Sequence, residues 1–205
     1  MRLDLQVVRL TPGTSAGWVP AGTQALLYAA SGAGSLLVDG EPHSFAADTA
    51  ALLLPEESWE LRSDVETEVA WVTAPAPRDL VREQATLRFA DSDEQRADEN
   101  RTFRVLFETD VTQFVGIVQP CRAPDHSHPY DEVGYILEGQ GFAHVGGESS
   151  PIGPGSTFVL PREQVHCIEN TGPGIMRILG VFHPSGSPKQ RSYDEANHEA
   201  GLASE

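Results

Sequence analysis

Three of the seven histidines stand in one pattern: His126-Ser127-His128, Glu132 four residues on, and His166 beyond a glycine-rich stretch. Imidazole and carboxylate together suit one divalent transition metal, whether Fe, Mn, Ni, Cu or Zn. Side chains at i and i+2 of a strand share a face, so His126 and His128 can present both rings to one cation. Pro129-Tyr130-Asp131 then reads as a turn or strand irregularity that brings Glu132 to the same cavity and leaves Tyr130 within reach of a substrate. An antiparallel neighbour carrying His166 would supply the third imidazole. Four protein ligands leave room in an octahedral shell for one or two waters or substrate oxygens, so the site can be catalytic. Glu132 then serves as ligand and as proton carrier, because metal and burial pull its pKa in opposite directions.

Strands must position these groups, and the chain supplies them. Short apolar runs such as Ala25-Leu26-Leu27-Tyr28 and Ala51-Leu52-Leu53-Leu54 are separated by Gly, Pro and Asp, and the same rhythm returns from Thr102 to His183. Both halves read as all-β. No sustained 3.6-residue period occurs, although Pro77 to Phe89 has room for one short helix.

The halves resemble each other. At an offset of 107, Tyr28 faces Tyr135, Gly32 faces Gly139, Gly34 faces Gly141 and Val38 faces Val145; at 106, Leu54-Pro55 faces Leu160-Pro161. Shared turn residues imply a shared strand register, hence a duplicated domain. The reading is a first domain over residues 1–77, a polar linker over 78–100, a second domain over 101–185 and a tail over 186–205, with a possible short helix near Tyr193 to Ala200.

The second half carries a specific resemblance. His126-x-His128-x3-Glu132-x6-Gly139 resembles the first motif of the cupin superfamily, and Gly155-x5-Pro161-x4-His166-x3-Asn170 resembles its second. With the degenerate repeat, the whole chain resembles a two-domain cupin, or bicupin. The resemblance implies two tandem jelly-roll (double-stranded β-helix) barrels, with a metal near the middle of the second held by His126, His128, Glu132 and His166. Two positions depart from the family pattern. The glycine that usually precedes the histidine pair is absent, and Glu163 stands where motif two usually has glycine. A non-glycine residue at positive φ there costs about 1–2 kcal/mol unless neighbours offset it.

By the same offsets the first-half counterparts of His126, His128, Glu132 and His166 are Val19, Ala21, Ala25 and Glu60. Three apolar residues and a lone carboxylate cannot hold a transition metal, so the first barrel is expected to be metal-free and to serve as an attached structural partner. Cys167, next to His166, should face away from the site as a buried thiol, and Cys121 reads as structural. His144 is a candidate to line the pocket, while His43, His183 and His198 have no patterned partners.

Composition narrows the function. A formal charge of -16 on 205 residues repels nucleic acid and anionic membrane. No apolar stretch is long enough to span a bilayer, the first residues lack a signal-peptide core, and two distant cysteines make no disulfide framework, so a cytoplasmic protein is expected. The partner is then a small-molecule substrate, and the assembly a monomer or homodimer. The expected activity is that of a metal-dependent enzyme, with a dioxygenase first, isomerase or hydrolase chemistry next, and a non-catalytic metal- and metabolite-binding module as the contrasting class.

Overall fold

The computed structural model describes residues 3–193. The first barrel uses β1 (Asp4–Leu10), β2 (Gly13–Trp18), β3 (Thr23–Ser31), β4 (Ala33–Val38), β5 (Glu41–Ala46), β6 (Thr49–Leu53), β7 (Ser58–Ser63) and β8 (Thr67–Pro75). Next come β9 (Thr86–Arg88), a 3-10 turn at Phe89–Asp91 and β10 (Glu94–Arg96). The second barrel uses β11 (Arg101–Glu108), β12 (Thr112–Val118), β13 (Cys121–Arg122), β14 (His126–Ser127), β15 (Asp131–Glu138) and β16 (Gly141–Val145). It continues through β17 (Glu148–Ile152), β18 (Thr157–Leu160), β19 (His166–Asn170), β20 (Met176–His183) and β21 (Ser192–Tyr193). The chain is all-β, as its turn rhythm implies. No helix among the described residues is long and apolar enough to cross a membrane.

Each barrel is two antiparallel sheets closed over an apolar core. In the first, β1-β8-β3-β6-β9 faces β2-β7-β4-β5 across Leu27, Leu36, Leu53 and Leu61. In the second, β10-β11-β12-β20-β15-β18 faces β17-β16-β19-β14-β21, with Ile136, Ala143, Ile152 and Ile178 between them. The stretch from Pro77 to Phe89 holds no α-helix, only the first residue of the 3-10 turn at Phe89–Asp91. Its Leu87 instead packs against buried apolar residues while β9 pairs with β6, and β10 pairs with β11. The segment read as a linker thus adds an edge strand to each barrel.

The central strands β3 and β15 are buried on both faces, which explains their unbroken apolar runs. One face fills its own barrel. The other meets the opposite barrel, where Leu26, Tyr28, Ala70 and Val72 share a core with Val115, Val133, Tyr135 and Leu179. Polar contacts cross the same boundary with near two-fold logic. Arg177 donates to Tyr28 at 3.2 Å and to Asp48 at 2.8 Å, and Tyr135 donates to Glu68. Ser31 pairs with Glu68, and Glu138 with Arg177, so the two tyrosine contacts occupy equivalent positions in the two halves.

The registers also correct the offset. Ala25 pairs with Leu53 and Glu132 with Leu160, so the spacing stays at 107 rather than falling to 106. Matching Pro55 to Pro161 slips the frame by one residue. The equivalence lies instead between the turns containing Glu56 and Glu163, both at positive φ, 66° and 62°.

Candidate metal centre

His126 and His166 are direct cross-strand partners on β14 and β19, and β15 brings Glu132 beneath them. His128 follows β14 by one residue. The three histidines are buried, and their candidate ligand atoms lie within 4.8 Å of one another. Glu132 Oε2 stands 3.9 Å from His128 Nε2 and 4.0 Å from His166 Nε2. Donors at about 2.1 Å from one octahedral cation lie roughly 3.0 Å apart when adjacent and 4.2 Å when opposite. Shifts of about an ångström therefore close this set around one ion.

The second ring nitrogens explain why the imidazoles face inward. His126 Nδ1 lies 2.8 Å from the Pro124 carbonyl, His128 Nδ1 2.7 Å from that of Gln190, and His166 Nδ1 2.8 Å from that of Gln164. A carbonyl can only accept, so Nδ1 carries the proton in each ring and Nε2 offers its lone pair to the cavity. Glu132 has no hydrogen-bond partner among the described residues, although it is buried. A buried carboxylate without a donor, facing three imidazole lone pairs, fits a divalent cation.

Turn chemistry locks the frame. Glu163 sits at φ 62°, the strained conformation expected from its place in the motif. Its N–H donates to the His128 carbonyl at 2.8 Å, and the Arg162 N–H to Asp131 Oδ1 at 3.0 Å. These bonds offset the strain and tie the turn before His166 to the strand that carries the other ligands.

Burial sets the electrostatics. It lowers His126 to about 3, with nearby His166 adding to the effect, and His128 to about 4 against the pull of the Gln190 carbonyl. Burial also lowers His166. The same burial raises Glu132 to about 8, with Arg191 pulling it back down. In the metal-free protein the histidines, depressed from 6.5, add stability as pH rises towards 6.5, because there the unfolded chain binds more protons. Glu132, raised from 4.5 to about 8, acts with opposite sign and makes stability fall as pH rises through that window. Above pH 6.5 only the falling limb remains. Thermal melts in chelator are expected to show that limb between pH 6.5 and 8 in the wild type and not in Glu132→Gln; identical profiles would contradict it.

The four groups line a cavity of about 90 Å³ whose other walls include Phe103, Phe114, Phe158, Leu160, Ile178 and Phe182. Across it runs a strap, residues 184–193, held by β21 pairing with β14 and by Gln190 at His128. The expected tail is seated on the second barrel as far as it is described; the possible helix near Tyr193 to Ala200 and His198 lie outside the described residues. Pro188 and Arg191 of the strap reach the cavity, as do Ala97 and Arg101. Arg191 Nη1 donates to Asp98 Oδ2 at 2.8 Å and Arg101 Nε to the same oxygen at 2.6 Å. Burial alone would raise Asp98, but the two guanidinium groups outweigh it and hold the carboxyl at about 2. None of Asp98, Arg101 or Arg191 stands out in the sequence, since each is a single charge in a polar stretch with no period.

Tyr130, expected at the substrate, is placed otherwise. Its hydroxyl donates to the Ser187 and Gln190 carbonyls at 2.5 and 3.2 Å, and its ring stacks on His128 at 4.9 Å. Gly186 lets the strap approach, since a Cβ there would stand 2.1 Å from the Tyr130 ring. Tyr130 therefore positions His128 and the strap. His144, a candidate for the pocket, is not among the cavity's walls and bonds Ser149 at 2.7 Å and Glu169 at 2.8 Å. Cys167 is buried beside His166, and Cys121 is half-buried outside the cavity.

In the first barrel, Gly17 pairs with Trp59 as His126 pairs with His166. The Val19 carbonyl accepts from Glu56 as that of His128 accepts from Glu163. The counterparts of His126, His128, Glu132 and His166 are thus Gly17, Val19, Ala25 and Trp59; of the expected four, Ala25 holds its place, Val19 moves, and Ala21 and Glu60 are displaced. Glu60 instead pairs with Arg62. The Trp59 ring lies over Gly17, where a Cβ would meet it at 2.9 Å.

The sequence profile of the Cupin domain family matches residues 114–182. No curated protein matches the chain at a significant level. A Pseudomonas aeruginosa structure described as a glyoxylate-induced protein superposes with a TM-score of 0.77 at 18% identity, covering 88% of this chain and 74% of its own. A Leptotrichia buccalis cupin 2 conserved barrel domain protein gives 0.66 at 12%, covering 89% and 84%. Bacillus subtilis oxalate decarboxylase, a structure studied for its Mn(II) centres, gives 0.74 at 13%, covering 98% and 76%. At these identities the likeness establishes the fold.

Proposed function

We propose, from a second barrel that is a cupin domain, that this protein is a metal-dependent enzyme acting on a small organic molecule, with dioxygenase chemistry as its reaction. His126, His128, Glu132 and His166 would hold one divalent transition metal, Fe, Mn, Ni, Cu or Zn. The first barrel, with Gly17, Val19, Ala25 and Trp59 in the equivalent places, would hold none and would cover its partner. One observation carries the reading: three Nε2 lone pairs, each fixed by a carbonyl at Nδ1, meet a buried carboxylate that has no hydrogen-bond donor among the described residues, in an apolar-walled cavity.

When bound, such a metal supplies open positions that polarise a substrate oxygen and bring dioxygen beside it. The chain's own residues do the rest. The imidazoles are held in one tautomer, so little reorganisation is needed when the site fills. The phenylalanine walls exclude bulk water and strengthen every charge interaction inside. Glu132, with Oε2 turned to the imidazoles as the ligand atom, would take a proton from an enolisable carbon or hydroxyl at Oε1.

The test is to strip the protein, reload it separately with each of the five metals, and follow dioxygen uptake and carbon dioxide release. The substrates are small 2-oxo acids, small β-diketones and oxalate. Substrate-dependent dioxygen uptake with at least one metal, lost in His166→Ala, is the expected result. Carbon dioxide release without net dioxygen uptake would replace dioxygenation by the decarboxylation named for the Bacillus subtilis structure. Metal uptake without turnover of any kind would leave a binding module.

A further inference from the structure

The cavity holds a charge arrangement that metal ligation does not use. Arg191 comes from the strap and Arg101 from the start of β11, and both side chains reach the cavity wall. Arg191 is only 6% exposed in its side chain and Arg101 13%, so neither charge is spread into solvent. Among the described residues their shared counter-ion is Asp98, leaving one positive charge over. Nη1 is the one guanidinium nitrogen of Arg191 with a hydrogen-bond partner among the described residues.

A buried excess cation beside a cavity that itself suits a metal cation is unfavourable unless an anion joins them. On a chain of formal charge -16, this is a local inversion of sign. We infer that Arg101 and Arg191 form a carboxylate-recognition site inside the metal cavity, and that the molecule acted on is a small carboxylate with an apolar body. The planar guanidinium fork matches a carboxylate in geometry as well as charge. Phe103, Phe114, Phe182 and Ile178 offer the remainder of the ligand an apolar wall, and the volume limits it to a few carbons. This inference rests on the metal-dependent reading of the same cavity and names its substrate class.

The experiment loads the full chain with Co(II) and follows its visible absorption during titration with 2-oxobutanoate or 2,3-pentanedione. The two have the same size and the same pair of adjacent oxygens, and only the first is charged. The ratio of their dissociation constants is measured in the wild type, Arg191→Gln and Asp98→Asn. A charge-assisted contact predicts that the wild-type preference for the anion falls about tenfold or more in Arg191→Gln, with the dione little changed. A preference arising from the metal alone would persist there and overturn the inference. Asp98→Asn frees both guanidinium groups and is expected to widen the preference, whereas a purely structural Asp98–Arg bridge would weaken both ligands together and also overturn it. Cobalt uptake without an arginine-dependent preference leaves the metal-dependent function standing; no cobalt uptake removes both.

Discussion

Replacing His166 with alanine is expected to weaken binding of a divalent transition metal about 100- to 1,000-fold, one ligand's share of a multidentate site. The magnitude follows from the position of the residue. His166 sits directly opposite His126 in the ladder, its ring centroid 4.6 Å from that of His126 and 5.2 Å from that of His128. Beyond His126 and His128, which are themselves candidate ligands, no described side chain of the cavity offers an imidazole to replace it. Metal content after dialysis and competition against a chromophoric chelator give the constants. Glu60→Gln serves as the control, since Glu60 pairs with Arg62 outside the equivalent position, and it should leave metal affinity unchanged. Stoichiometric metal in His166→Ala, or equal losses in both variants, would remove the site from the second barrel.

Phe182→Ala should produce the largest loss of stability, about 3–5 kcal/mol, from the aromatic surface and the cavity left behind. Phe182 is 1% exposed and packs at 4.3 Å from the Tyr130 ring, 4.6 Å from Phe114 and 5.5 Å from His128. Its removal therefore loosens the wall behind a ligand as well as the core. The midpoint of thermal unfolding should fall by roughly 10 °C for a chain of this size. Phe142→Ala, at a surface position 38% exposed, should change stability by less than about 0.5 kcal/mol. Equal effects at the two positions would mean that Phe182 is not part of a close-packed core.

The two results read different properties of one structure. His166 contributes a lone pair to the cavity and little packing, so its loss should be visible in metal affinity before stability. Phe182 contributes packing and no donor, so the order reverses. Tyr130 connects them, with its ring against Phe182 and its hydroxyl on the strap carbonyl that also orients His128.

The sequence by itself determined the all-β class and the doubling of the barrel, and it singled out the four residues proposed for the metal centre. Those features are local. Strand alternation has a period of two, so His126-Ser127-His128 shows which face it presents, and turn residues such as Gly139 and Gly155 mark where strands reverse. The tertiary structure alone decided the one-residue slip that puts Trp59 rather than Glu60 opposite His166 in the paired halves. Register between strands is fixed by hydrogen-bond ladders and turn conformation, and the positive φ at Glu56, the counterpart of Glu163, leaves no mark on residue type. It alone showed that Tyr130 serves the strap, and that Asp98 and Arg191, 93 residues apart, meet at the cavity wall. Contacts of that span depend on where a loop and a strap come to rest after both barrels have packed, and no periodic pattern in the chain encodes them.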